Sequence, residues 1–220
     1  MNTVEPIKRP QTLKDLAYSE IRCFLTNGGI KATEIISANQ FGEILKVSRT
    51  PVREALLQLA SEGFLVAIHG RGFVIRQFSE KEIRDFFEVR RIVECHVIRH
   101  LVETLEAPYL DEMGETLRLM KQRAEEKDFT GFLDIDKAFH MDLVQRYNNG
   151  LLITITEQIR TLIAILGHRA LSTSGRIQRV VEEHAQVVEG FRERNIQRAV
   201  KAMTNHLNAT EKEILRNSQL

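Results

Sequence analysis

Residues 37–63 predict two short helices joined by only three residues, and this spacing restricts the N-terminal part of the chain to few folds. Ser37 and the Gln three positions later have the form of a capping box, which opens the first helix. Ser48 or Thr50 can cap the second helix, and Gly63 can end it as a C-cap residue. Two helices connected so tightly are typical of a helix-turn-helix.

The second of these helices has two different faces. Its apolar face is formed at helical spacing by Val52, Ala55, Leu56 and Leu59. On the other side, Arg49 and Arg53 are four positions apart, so their side chains project together. A guanidinium group can donate two parallel hydrogen bonds to a guanine edge or to a phosphate. The same pattern also fits a surface helix that carries two solvated arginines.

A hairpin is predicted directly after this pair of helices. Two short strands, over 64–68 and 73–77, flank a glycine-punctuated turn that carries His69 and Arg71. A helix-turn-helix followed by a basic hairpin is a winged helix. An amphipathic helix over 12–27 is expected to pack behind the pair.

Charge distribution agrees with nucleic-acid binding, while hydropathy and cysteine content argue against a membrane-spanning or secreted protein. Residues 1–78 contain 10 Lys and Arg against 7 Asp and Glu, a small basic excess in the part expected to meet nucleic acid. No apolar run is long enough to span a bilayer, and residues 1–11 lack the apolar core of a signal peptide. Cys23 and Cys95 are far apart, without metal-binding spacing, which fits a reducing cytoplasm; both are expected to be buried.

From Ser79 onward the pattern predicts helices alone. A second capping box begins at Ser79 and marks a domain boundary. Apolar periodicity interrupted by Gly, Pro and Asn predicts six helices, over 80–105, 109–127, 129–147, 150–171, 175–193 and 196–217. The predicted fold class is therefore mainly α: a disordered arm over 1–11, a winged helix-turn-helix domain over 12–78, and an all-helical bundle of six to seven helices over 79–220.

Polar residues lie at the centres of the apolar stripes of this bundle. Asp136 and His140 are four positions apart on the inward face of the third helix, and His184 and His206 are centred on the faces of the fifth and sixth. Burying an unpaired carboxylate is costly, and a divalent metal removes that cost by taking the oxygen and the imidazole nitrogens as ligands. A lone inward histidine is more often a satisfied core residue, but three of them beside an aspartate favour a metal site. The set suits Zn, Ni, Mn or Fe, and residue types do not choose among them.

Residues 12–78 resemble the winged-helix domain of the GntR family of bacterial transcription regulators. The resemblance rests on Val47-Ser48-Arg49-Thr50-Pro51-Val52-Arg53-Glu54-Ala55-Leu56, Leu59, Glu62-Gly63 and Gly70-Arg71-Gly72. It implies contacts with double-stranded operator DNA from the start of the second helix and from the wing tip, through Arg49, Thr50, Arg53, His69, Gly70 and Arg71. Some members have a DNA-contacting arginine early in the preceding helix, where this chain has Asn39.

Residues 80 to about 215 resemble the all-helical FCD effector domain of the FadR-like branch of GntR regulators. The matching residues are Arg90 with Glu94, Asp136-Lys137-Ala138-Phe139-His140, Asn149, Glu183-His184 and His206-Leu207. The resemblance implies a divalent metal ion held by Asp136, His140, His184 and His206. It further implies a small carboxylate effector near the metal, for which Arg90 is a contact, and a homodimer that suits a two-fold-symmetric operator. Arg90 can instead form an ion pair with Glu94 within its own helix.

The sequence therefore predicts a cytoplasmic transcription regulator, a repressor, which is neither an enzyme nor a membrane protein. An effector that binds one arrangement of the dimer better than another would change the affinity for the operator. One alternative is a metal-dependent enzyme, but the bundle lacks the second set of bridging carboxylates found in di-iron proteins. Another is a metal sensor, in which the metal is itself the signal; a purely structural metal is a third reading.

Overall fold

The computed structural model describes residues 11–30, 34–171 and 175–218, and it describes no side chains for 167–171 and 218. The chain divides into two compact units, one ending at Gln77 and the other beginning at Phe78. The arm predicted over 1–11 lies outside the described residues, apart from Gln11. Within the described ranges, no helix combines the length and the hydropathy needed to cross a bilayer.

The N-terminal unit is a winged helix-turn-helix, as predicted. Its elements are α1 (Leu13–Thr26), α2 (Ala38–Leu45), α3 (Arg49–Ser61), β1 (Leu65–Ile68) and β2 (Gly72–Ile75). The two strands pair antiparallel, with Leu65 opposite Ile75 and Ile68 opposite Gly72. The face of α3 formed by Val52, Ala55, Leu56 and Leu59 is buried, because apolar spacing turns these side chains toward one core.

The turn between α2 and α3 depends on backbone geometry more than on side-chain caps. Lys46 adopts a left-handed conformation, and the Val47 N–H donates to the Gly42 carbonyl at 3.0 Å. A Cβ at Gly42 would lie 3.1 Å from the Val47 carbonyl oxygen, so a larger residue would crowd the turn. Ser48 is the N-cap residue of α3, but its side chain makes no capping hydrogen bond. The expectation of a side-chain cap at Ser48 or Thr50 is therefore wrong.

The second unit is an all-helical bundle, and its six predicted helices are all present. They are α4 (Glu80–Thr104), α5 (Ala107–Glu126), α6 (Phe129–Tyr147), α7 (Gly150–Leu171), α8 (Arg176–Arg192) and α9 (Ile196–Ser218). Helix α9 packs against α8 and α4, while α6 packs against α4, α5 and α7. The side chains buried among them form one apolar core, which surrounds the polar cluster described below.

Helix ends in the bundle are set by capping side chains, left-handed residues and proline. The Ser79 side chain accepts from the Glu82 N–H, and the Glu82 side chain accepts from Ser79, so the predicted capping box is complete. Asn148 ends α6 in a left-handed conformation, after which the Asn149 side chain accepts from the first N–H groups of α7. Pro108 lies in the first turn of α5, so this helix begins two residues earlier than predicted.

The two cysteines differ in their surroundings. Cys95 is buried in α4, as predicted, whereas Cys23 in α1 is exposed. The expectation that Cys23 is buried is therefore wrong. The reason is geometric: Ile21 and Leu25 already turn inward on α1, so the position midway between them faces away from the core.

Candidate metal centre

The six residues predicted to meet DNA all lie on the surface of the N-terminal unit. Arg49, Thr50 and Arg53 are exposed on the first turns of α3, on the side opposite its buried face. His69, Gly70 and Arg71 are exposed in the turn that joins β1 to β2. A hydrogen bond from the Arg71 N–H to the Ile68 carbonyl, at 3.0 Å, closes this turn. The placement leaves these six residues accessible, and their contacts with DNA stay a prediction.

The four predicted metal ligands come together in the core of the bundle. Asp136 and His140 extend from α6, His184 from α8 and His206 from α9, and all four are buried. Each offers one ligand atom, and these atoms lie within 4.8 Å of one another. The Nε2 atoms of His140 and His184 are 3.2 Å apart, and His184 Nε2 is 3.4 Å from Asp136 Oδ1.

Each imidazole is held from behind through its Nδ1 atom. His140 Nδ1 is 2.6 Å from a Glu94 carboxylate oxygen, and His206 Nδ1 is 2.8 Å from Glu183. His184 Nδ1 is 2.8 Å from the Val180 carbonyl oxygen. Because these partners accept hydrogen bonds, each Nδ1 carries the proton and donates it. The Nε2 lone pairs are then left to face the centre, as in metal sites whose histidines are oriented by a second set of residues.

This arrangement creates an excess of acceptors at the centre. With the protons on Nδ1, neither nitrogen of the His140–His184 Nε2 pair has a proton to share, although they are only 3.2 Å apart. The Asp136 carboxylate oxygen beside them is also an acceptor. Lone pairs that converge in a buried site need a cation or protons to compensate them. The residues present therefore fit a divalent metal ion.

The pKa shifts favour the ligand-competent forms. Burial lowers the pKa of His140 well below its usual value, and Arg160 adds to this effect. Burial also lowers the pKa of His184 to about 4. Burial alone would raise the pKa of Asp136, but the positive charge of Arg160 holds it below its usual range. At neutral pH the two imidazoles are consequently neutral and the carboxylate is ionised, which are the states that bind metals.

Arg90 forms the ion pair with Glu94 that the sequence offered as an alternative to a contact with the effector. Its Nε donates to Glu94 at 2.7 Å, and its side chain is 1% exposed. The Nη2 atom of Arg90 also lies 3.4 Å from His140 Nδ1. His140 Nδ1 is closer to the Glu94 carboxylate, at 2.6 Å, so the imidazole donates its Nδ1 proton to Glu94. The other terminal nitrogen of Arg90, Nη1, is buried without a hydrogen-bond partner in the described part of the chain. The ion pair therefore leaves the Nη1 amino group of Arg90 available.

Two further residues of the cluster, Arg160 and Arg176, were not predicted from the sequence. Arg160 in α7 is buried and hydrogen-bonds the Asp136 carboxylate. Arg176 at the start of α8 donates to both oxygens of Glu183, at 2.7 and 3.0 Å. A signal existed for Arg160, since it is an arginine between the apolar positions Ile159 and Leu162 of a long apolar helix. Arg176 and Glu183 are seven positions apart on α8, which also places them on one face.

Comparisons with known proteins agree with this architecture. Residues 13–75 match the family described as "Bacterial regulatory proteins, gntR family". Residues 85–209, more than half of the chain, match the family described as "FCD domain".

Individual relatives are transcription regulators. The chain is 27% identical to a gluconate operon transcriptional repressor of Bacillus licheniformis over 77% of this chain and 69% of that protein. It is 22% identical to the transcriptional repressor RspR of Escherichia coli K12 over 94% of this chain and 88% of that protein. The fold is similar to that of E. coli McbR/YncC, with a TM-score of 0.84 at 19% identity, over 94% of this chain and 99% of that one.

These matches place a DNA-binding domain before a helical FCD domain, the order that the structure shows. The relatives and the fold are those of transcription regulators and not of enzymes. The chain belongs to the GntR family of bacterial regulatory proteins and is a DNA-binding transcription regulator with an FCD domain.

Proposed function

We propose that this regulator is a homodimeric repressor whose affinity for operator DNA is controlled by a small carboxylate bound at a divalent metal. Asp136, His140, His184 and His206 would hold the metal. The observation that carries the proposal is the convergence of their acceptor atoms, with every Nδ1 proton directed outward. A divalent metal bound there would supply a Lewis-acidic position for an anionic ligand.

The chain's own residues would bind and orient the effector. Arg90 and Arg160 border the cluster through His140 and Asp136, and each keeps one buried nitrogen donor that lacks a hydrogen-bond partner among the described residues. A guanidinium group suits a carboxylate because its donors lie in a fixed planar fork. Burial excludes water, so such a hydrogen bond would contribute more than it does on the surface.

The N-terminal unit would bind the operator through α3 and the wing, using Arg49, Thr50, Arg53, His69, Gly70 and Arg71. A homodimer would present two such units to a two-fold-symmetric site. The relatives named as repressors support repression as the output. An effector that prefers the DNA-free arrangement would release the operator, and this is the outcome that we propose.

The test combines metal analysis with operator binding. Elemental analysis of the purified protein should give about one divalent metal per chain, and the double variant His184→Ala/His206→Ala should lose it. The matched control, His96→Gln/His100→Gln, changes two exposed histidines of α4 and should retain the metal. Operator affinity should then fall when a small carboxylate is added to the metal-loaded protein, and not when it is added to the chelated protein.

Three results would contradict this proposal in different ways. Full metal retention in the double variant would show that the metal lies elsewhere. Release of DNA by metal alone, with no response to any acid, would identify a metal sensor. A response to acids that persists in chelator would show that the histidines and arginines bind the effector directly.

A further inference from the structure

The charged side chains around the cluster form a balanced set. Three are arginines and three are acids, and each arginine has an acidic partner: Arg90 with Glu94, Arg160 with Asp136, and Arg176 with Glu183. Glu213, a buried acid outside this set, lies 4.0 Å from the Arg216 guanidinium near the end of α9. Counted with its histidines as neutral metal ligands, the cluster therefore has a net charge of zero.

A divalent metal would change this balance by two positive charges. The negative charge of Asp136 already neutralises the positive charge of Arg160, so no acid of the set remains to neutralise the metal. A buried excess of two charges is unfavourable because the interior solvates ions poorly. The completed site therefore needs two negative charges from a bound ligand.

Three unsatisfied polar atoms lie on α4 and α7, the helices that carry Arg90 and Arg160. They are Nη1 of Arg90, Nε of Arg160 and Oγ1 of Thr156, all buried without a hydrogen-bond partner in the ranges that the structure describes. Thr156 lies one turn before Arg160 on α7, so the two side chains share a face. Buried donors left unpaired are costly, and two of these three can only donate. They call for an acceptor-rich ligand beyond the metal ligands themselves.

We infer that the effector site of this regulator takes a small dianion in preference to a monocarboxylate. One anionic group would offset the metal, and the other would accept from Arg90, Arg160 and Thr156. Dicarboxylates and inorganic phosphate share this chemistry. The inference rests on the proposed metal site, because the two unbalanced charges are those of the metal.

The test compares each dicarboxylate with its own monoamide, which keeps the size and removes one charge. Malonate is paired with malonamate and succinate with succinamate, and inorganic phosphate at pH 8 forms a third arm. Binding to the zinc-loaded full chain is measured by calorimetry at constant ionic strength, with the metal content determined in the same samples. We expect at least one dianion to bind tenfold or more tightly than the monoamides, and chelation of the zinc should abolish this preference. The order of phosphate and the dicarboxylates then identifies which kind of dianion the site takes.

A pair of threonine variants tests the assignment to these atoms. Thr156→Val removes one unsatisfied hydroxyl without changing the shape of the side chain, and it should weaken dianion binding several-fold. Thr154→Val is the matched control, because Thr154 is exposed on the same helix and its hydroxyl already donates to the Gly150 carbonyl. Both variants should keep the metal content of the parent protein.

The possible failures are distinguishable. A monoamide that binds as tightly as its dicarboxylate overturns the inference and leaves the metal site intact, since the site would then take a single charge together with hydroxide. The same holds if no dianion binds to protein that contains one zinc per chain. Absence of metal from the protein overturns the proposed function, and the charge argument fails with it.

Discussion

At the scale of single residues, the orientation of each imidazole depends on one acceptor behind it. Behind His206 this acceptor is Glu183, which contacts the Nδ1 atom and is itself partly exposed. The hydrogen bonds from His206 and Arg176 lower the pKa of Glu183 despite its partial burial, so this acceptor is ionised at neutral pH. Removing the charge weakens the hold on the ring without removing a ligand.

We expect Glu183→Gln to lower the affinity for zinc by roughly 10- to 100-fold, the range found when such orienting partners are changed. The measurement is a competition titration against a chromophoric chelator at pH 7.5. Glu182→Gln is the control, since this neighbouring acid on α8 is exposed. Equal zinc affinities for the two variants would show that Glu183 does not orient the ligand.

The depressed pKa of His184 predicts a pH dependence of the metal-free protein. In the unfolded chain this histidine takes up a proton near pH 6.5, whereas burial and His206 hold its folded pKa at about 4. Between these values the unfolded state binds more protons, so the free energy of unfolding falls as the pH decreases. The contribution of His184 is on the order of 3 kcal/mol over this window.

Chemical denaturation in chelator at pH 7.5 and pH 4.5 measures this effect. His184→Gln should show a smaller loss of stability across the window than the parent protein. His96→Gln is the control, since it changes an exposed histidine of α4 and leaves His184 in place. An equal pH dependence in all three proteins would refute the assignment.

At the scale of elements, periodicity and caps predicted the helices well because both are local. The capping box at Ser79 and the asparagines at 148–149 fix helix ends through neighbours in sequence. The inward position of the four ligands also followed from helical spacing. Partners from other helices could not be predicted in this way. Arg160 meets Asp136 across 24 positions, a pairing that depends on how α7 packs on α6.

The packing of α8 on α9 requires a glycine at 190. A Cβ there would lie 2.6 Å from the backbone N and Cα of Ala199. We therefore expect Gly190→Ala to lower the free energy of unfolding by about 2 kcal/mol, although alanine is the better helix former. Gly114→Ala is the matched control within α5, where the added Cβ would meet only the mobile end of the Arg192 side chain, at 3.1 Å.

Urea denaturation of the two variants measures this difference. The control should be as stable as the parent protein, or slightly more stable. A Gly190→Ala variant with the stability of the control would show that α8 and α9 do not approach so closely.

The recognition role of α3 is a second prediction at this scale. Arg53→Ala should weaken operator binding at least fivefold, because an arginine contact with a base or a phosphate contributes about 1–3 kcal/mol. Arg99→Ala, an exposed arginine of α4, is the control. Fluorescence anisotropy over a range of salt concentrations separates two roles, since loss of a phosphate contact reduces the salt dependence and loss of a base contact reduces sequence discrimination. Unchanged affinity would remove Arg53 from the interface.

At the scale of the whole molecule, the two units must communicate if the helical domain regulates DNA binding. Linkage makes such communication reciprocal: an effector that weakens operator binding by a given factor must itself bind more weakly, by the same factor, to the operator complex. This equality holds for any structural route between the domains, because it follows from the closed cycle of four binding steps.

We therefore expect two equal factors, typically about 5- to 150-fold. One is the rise in the effector's dissociation constant when operator DNA is bound. The other is the rise in the operator's dissociation constant when the effector is bound. The operator is selected from a random DNA pool, and malonate or succinate serves as the ligand on zinc-loaded protein. Calorimetry gives the two ligand affinities, with and without DNA, and anisotropy gives the two DNA affinities. A control duplex of scrambled sequence should leave ligand binding unchanged. Strong ligand binding with identical affinity in both states would mean that the bundle binds the acid without controlling the operator, because a ligand that does not distinguish two states cannot shift their balance.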